Sequence, residues 1–289
     1  IGSTELIVSG GYVDCFSPRV ERTFVGSSSA SSFTIDFSTQ NSTIILKHLI
    51  LAFNDNNGVV AKGNVFLQLD NVDINNNGFS GLDVSEGATV EVLADSVIRF
   101  NDNINNPSGG GIRCTGSNSS VMLKANVHSN KAQEGGNIYL GNGCFMEIFD
   151  GVRITGLNNE ITADAGAGIY VDSGANLLSS GEANRVIIND NYAGSTGGGI
   201  YVTGNSSLAV LENTHFNNNR SPFASDINAT QAGQLTMGQT TACGQLFGCS
   251  EIQNSKYETS AIRARFDAII TLNRTVIEKG TFTADVGYL

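Results

Sequence analysis

One short signal recurs seven times along this chain: an apolar residue, two spacers and, in six of the seven copies, asparagine. The copies are Phe53-Asn-Asp-Asn56, Ile74-Asn-Asn-Asn77, Phe100-Asn-Asp-Asn103, Val127-His-Ser-Asn130, Ile154-Thr-Gly-Leu157, Ile188-Asn-Asp-Asn191 and Phe216-Asn-Asn-Asn219. Several are followed by a glycine-rich run that opens a short apolar stretch: Gly109-Gly-Gly-Ile112, Gly135-Gly-Asn-Ile138, Gly166-Ala-Gly-Ile169 and Gly197-Gly-Gly-Ile200. A self-similar period of about 20–50 residues indicates a solenoid, propeller or array, in which each unit buries its apolar face only by stacking on its neighbours.

Within one period the residues alternate. Leu82-Asp-Val84, Ile112-Arg-Cys114, Ile138-Tyr-Leu140, Ile169-Tyr-Val171, Ile200-Tyr-Val202 and Ile227-Asn-Ala229 begin 30, 26, 31, 31 and 27 residues apart. Period-two alternation puts their first and third side chains on one face, which must be the interior, and the middle one outside. A second strand follows (Val90-Glu-Val92, Val121-Met-Leu123, Met146-Glu-Ile148, Leu177-Leu-Ser179, Leu208-Ala-Val210). A third leads into the Asn signal (Ser96–Phe100, Ala125–Val127, Val152–Ile154, Arg185–Ile188, Thr214–Phe216). Three short strands per turn, with no room for a helix between them, predict an all-β single-stranded parallel β-helix of about nine coils. The preference of parallel crossovers makes it right-handed.

Residues 1–289 then form one β-helix domain, with an N-terminal coil or cap over 1–43 and regular coils over 44–230. An irregular insert occupies 231–260, and a C-terminal coil or cap 261–289, because a solenoid covers its ends with atypical units. Asparagine tolerates left-handed backbone and suits a tight corner. Asn56, Asn77, Asn103, Asn130, Asn191 and Asn219 are therefore expected to stack as a structural amide ladder rather than to catalyse. The glycine runs answer the need for sharp turns and close approach.

The charge of −11 and pI near 4.6 exclude nucleic acid as a partner, since phosphate binding needs a Lys/Arg surface. No apolar run approaches the roughly 18 residues needed to cross a bilayer, so no membrane insertion by this chain is expected. Of five cysteines, Cys243 and Cys249 bracket a short loop and are the expected disulfide, while the pairing of Cys15, Cys114 and Cys144 stays open. A disulfide points to an oxidising compartment. Of six Asn-x-Ser/Thr sequons (Asn41, Asn118, Asn205, Asn219, Asn228, Asn273) most are expected by chance in a chain this rich in Asn, Ser and Thr, so they do not establish a eukaryotic source. No cofactor is expected. The sole ion suggested is Ca²⁺, because Asp55, Asp102 and Asp190 recur at one position of the signal, yet single carboxylates on separate coils make poor sites.

An apolar-x-x-Asn signal followed by Gly-Gly-x-apolar resembles the repeats of the chlamydial polymorphic outer membrane proteins and similar bacterial surface proteins, over residues of about 50 to 230. The resemblance implies a right-handed parallel β-helix, secretion or surface display, and adhesion. Leu157 and the Ser225-Asp226 pair depart from the pattern, and no β-barrel translocator is present.

Function is expected on the outward column of the best-defined strand: Asp83, Arg113, Tyr139, Tyr170, Tyr201 and Asn228. Three consecutive tyrosines about 4.8 Å apart would form a stripe suited to sugar rings or a protein surface, so Tyr139, Tyr170, Tyr201 and Arg113 are the candidate binding residues. The competing reading is that tyrosine stacks on itself along a sheet. The leading function is a secreted or surface-exposed adhesin-like protein binding a glycan or protein partner. The alternative is a polysaccharide lyase or glycoside hydrolase of pectin-lyase type. Hydrolysis needs paired carboxylates and elimination needs a base. The weak catalytic candidates are Asp83, Arg113 and Asp172, with Asp83–Arg113 reading more simply as a salt bridge. Three or more charged side chains in one groove would favour an enzyme.

Overall fold

The computed structural model describes residues 4–10, 22–26, 30–157, 160–180, 184–238, 250–253, 260–278 and 282–284. Strands wind around one axis and pair in parallel with their equivalents one coil away, on three faces. The first face contains Leu82–Ser85, Ile112–Thr115, Ile138–Gly141, Ile169–Val171, Ile200–Val202 and Ile227–Ala229. The second contains Thr89–Val92, Ser120–Leu123, Phe145–Ile148, Asn176–Ser180 and Leu208–Glu212, and the third Val97–Arg99, Asn126–His128, Arg153–Thr155, Val186–Asn189 and Thr214–Asn217. Complete coils start at residues 33, 59, 82, 112, 138, 169, 200, 227 and 262, which makes nine among the described residues. Partial coils flank them at Thr4–Ser9 with Thr23–Val25, and at Phe282–Ala284.

Register is set by the alternation. On the first face Leu82 pairs with Ile112, Ile112 with Ile138, Ile138 with Ile169, Ile169 with Ile200 and Ile200 with Ile227. All six are fully buried, and one continuous apolar core runs along the axis from Ile35 to Ile262. A slip by one residue would turn every one of these side chains outward. Two boundaries differ from the expectation. The first full coil starts at Phe33 rather than 44, and Gln234–Met237 and Glu251–Gln253, inside the expected insert, keep parallel register with the coils beside them. Cys243 and Cys249 lie outside the described residues.

The amide ladder exists, but it does not pass through all the expected asparagines. Side-chain amides donate in one direction from Asn54 to Asn77, Asn101, Asn130, Asn137, Asn191, Asn219 and finally Asp226. Each amide from Asn77 on also donates to a third-strand carbonyl, as Asn101 does to Ile74 and Asn191 to Ile154. Asn56 and Asn103 are corrected to Asn54 and Asn101. Asn103 is buried but binds Ser80 Oγ and the carbonyls of Ser108 and Gly109 instead, and Asn56 is half-buried outside the ladder. The left-handed residue at the corner is not the asparagine but the one before it: Phe53, Asn76, Phe100, Ser129, Asp190 and Asn218 all have φ between 51° and 59°.

Glycine just before the first-strand isoleucine is explained by the same ladder. A Cβ on Gly81 would lie 2.6 Å from Asn101 Nδ2, and one on Gly111 would lie 2.8 Å from Asn130 Nδ2. Where the coil lacks its corner asparagine, this glycine is replaced by a side chain that fills the gap. Asn137 does so in the coil that carries Leu157, and Asp226 in the coil where Ser255 follows Ile252.

Two further features were not expected. Cys114 and Cys144, both fully buried, form a disulfide between adjacent coils, with Cα atoms 5.9 Å apart. The segments after the Asn corner build a second sheet of four parallel strands, Asp102–Ser108, Lys131–Glu134, Ala163–Ala165 and Ala193–Thr196, so the middle coils carry four strands rather than three.

Candidate functional site

The outward column of the first face is in register from Asp83 through Arg113, Tyr139, Tyr170, Tyr201 and Asn228 to Arg263. The three tyrosine rings stack, with centroids 5.5 Å apart between Tyr139 and Tyr170 and 4.9 Å between Tyr170 and Tyr201. They do not form an exposed stripe. Tyr170 is only 8% exposed, and Tyr139 and Tyr201 are half-buried. The cause is the side sheet, which the sequence reading did not contain. Its Glu134 carboxylate lies beside the Tyr170 hydroxyl, and its Thr196 hydroxyl accepts a hydrogen bond from Asn228 Nδ2 at 2.6 Å. The tyrosine column is thus corrected from a recognition platform to a packing ladder.

The electrostatics agree with an enclosed setting. Burial, followed by the Asp172 and Glu134 carboxylates, pushes the Tyr139 hydroxyl up to about 12. Burial and Glu134 push Tyr170 far above its ordinary value, and burial raises Tyr201. Glu134 is itself raised, first by burial and then by Asp172. Asp172 does not meet Asp83 and Arg113. It sits beside the tyrosines, where its carboxylate caps the Ser173 amide at 2.6 Å.

Asp83 and Arg113, at the N-terminal end of the column, are brought together, with Arg113 Nη1 donating to Asp83 Oδ1 at 3.0 Å. They line a groove of about 480 Å³ with Lys62, Ser85, Glu86, Thr115, Ser117 and Asn142. That volume lies within the range of small-ligand sites. Arg113 Nε is shielded from solvent and has no hydrogen-bond partner among the described residues. Lys62 pairs with Ser85, and Thr115 with Gly141, in a second outward column two residues along the strand. Following both alternating outward positions, rather than the middle residue alone, would have found these groups.

The calcium pattern does not assemble. Among the described residues no group of three or more His, Cys, Asp or Glu side chains could hold a metal. Asp190 instead accepts hydrogen bonds from the side-chain amides of Asn189 and Asn218. No helix of the described residues is long and apolar enough to cross a membrane.

Among known protein families, the right-handed beta helix region matches residues 34–237. No curated protein and no solved structure matches the chain.

Proposed function

On the premise that the chain belongs to the right-handed β-helix family, we propose that it is a secreted or cell-surface protein that binds a glycan or a protein partner in the first-face groove. The observation that carries this reading is the Asp83–Arg113 pair in a groove rich in donors and acceptors. A rigid solenoid holds these groups in place without an ordering cost on binding. The Cys114–Cys144 disulfide is compatible with an oxidising, extracellular setting. The resemblance to chlamydial polymorphic surface repeats supports an adhesive role.

Titration of the purified protein against a panel of glycans and candidate surface proteins tests this. Arg113→Ala and Asp83→Asn should each weaken binding about tenfold, the loss of one charge-assisted contact. Binding that survives both substitutions would remove the groove from the account. The second reading, a polysaccharide lyase or hydrolase, is favoured by one observation: four charged side chains, Lys62, Asp83, Glu86 and Arg113, line the same groove. Turnover of a neutral or uronic polysaccharide, abolished by Arg113→Ala, would replace adhesion with catalysis.

A further inference from the structure

The second face carries a separate cavity of about 430 Å³, lined by Ala94, Lys124, Glu147, Phe149, Asp150 and Ser180. Its residues come from four successive coils. Ile148 pairs with Leu123 on one side and Ser179 on the other, so the next residues along, Lys124, Phe149 and Ser180, are neighbours in one outward column. Glu147 lies in the adjacent outward column, in register with Met122 and Leu178. None of these residues belongs to the first-face groove or to the tyrosine ladder.

The groups are held by one another. Lys124 Nζ is 2.7 Å from Glu91 Oε1 and 5.1 Å from the centre of the Phe149 ring. Gln68 Nε2 donates to the other Glu91 oxygen at 2.8 Å, and Ser180 Oγ donates to Glu147 Oε1 at 3.1 Å. The Lys124 and Gln68 hydrogen bonds hold the Glu91 carboxyl below its usual range, so Lys124 keeps its neutralising partner. The cavity then presents an aromatic wall, an ammonium as donor, and the Ser180 hydroxyl oxygen and the carboxylate oxygens of Glu147 and Asp150 as acceptors.

We propose that this second-face cavity is a saccharide subsite for a neutral pyranose. A sugar hydroxyl both donates and accepts, which matches interspersed ammonium, hydroxyl and carboxylate groups. An aromatic face receives the C–H side of the ring. The lining carries two carboxylates, Glu147 and Asp150, against one ammonium that Glu91 already neutralises, and so repels a uronic acid. The inference rests on the glycan-binding reading above but places the contact on a different face.

Calorimetric titration with neutral xylo-, manno- and gluco-oligosaccharides, and with oligogalacturonides for comparison, is the test. The expected result is binding of at least one neutral series and weaker or no binding of the oligogalacturonides. Phe149→Ala and Glu147→Gln should weaken it about tenfold. Ser180→Ala, which alters no packing ring, serves if Phe149→Ala unfolds, and should also weaken binding. The proposal is overturned if no neutral oligosaccharide binds, if oligogalacturonides bind more tightly, or if binding ignores Phe149, Glu147 and Ser180. Loss on Arg113→Ala alone would leave the first-face reading standing and sink this one.

Discussion

Leu157 stands where most coils have a corner carboxamide, and Asn137 supplies the missing group from a position that most coils give to glycine. A buried amide chain is stable only when complete, because each orphaned donor or acceptor costs about 1–3 kcal/mol. Asn137→Gly should therefore destabilise the fold by about 3 kcal/mol in a denaturant titration. Adding Leu157→Asn should recover part of that loss by restoring the arrangement of the neighbouring coils, and a double variant no more stable than the single one would refute the substitution rule. Asp226 ends the ladder as an acceptor, bonded by Asn219 Nδ2 and Ser225 Oγ. Burial raises its carboxyl from 3.8 to about 7. The folded state thus holds a proton that the unfolded chain releases near 3.8, so stability falls as pH rises between those values and the penalty is complete above about 7. Asp226→Asn should flatten that decline and raise the melting temperature at pH 8, and an unchanged profile from pH 4 to pH 8 would contradict it.

At the scale of the elements, the side sheet decides what the first face can offer. Its Glu134 and Thr196 close over Tyr170 and Asn228, so removing the central ring opens a void instead of weakening a ligand contact. Tyr170→Ala should cost about 2–4 kcal/mol by the usual penalty for truncating a buried aromatic, read as a lowered melting temperature, and a neutral effect would restore the exposed-stripe reading. The Cys114–Cys144 bond joins a first-face strand to the turn before the second-face strand of the next coil, 30 residues on. Closing a loop of that size contributes about 3.6 kcal/mol. Replacing both cysteines with alanine should lower the denaturation midpoint accordingly, and the denatured, unreduced wild-type protein should titrate no more than three of its five thiols.

For the whole molecule, a solenoid has only nearest-neighbour contacts, so its stability is close to a sum over coils and interfaces. The coils starting at 82 through 200 have a partner on both sides and fully buried first-face isoleucine or leucine residues. The end rungs are less enclosed: Leu6 and Ile7 at one end, and Ile269 and Val276 at the other, are exposed. Native-state hydrogen exchange should show graded protection, highest in the first-face strands from Ile112 to Ile200 and lowest at Thr4–Ser9 and Val276–Ile277. Uniform protection across all coils would point to a single all-or-none unit instead.

The amino-acid sequence by itself determined the parallel β-helix, its three faces and its nine full coils. Period-two alternation leaves one face able to bury the isoleucines, and a repeat near 30 residues allows only stacking. It could not choose between Asn54 and Asn56, or between Asn101 and Asn103, because Leu51-Ala-Phe-Asn54 and Phe53-Asn-Asp-Asn56 satisfy the same apolar-x-x-Asn signal. That choice belongs to strand register, which places Leu51 and Ile98 inside against Ile74 and leaves Phe53 and Phe100 outside. Tertiary structure also decided which cysteines meet, that the tyrosines are covered, and that charged residues from separate coils share a groove. These depend on contacts across coils and on side-chain paths around corners, which a one-dimensional pattern of apolar and polar residues does not encode.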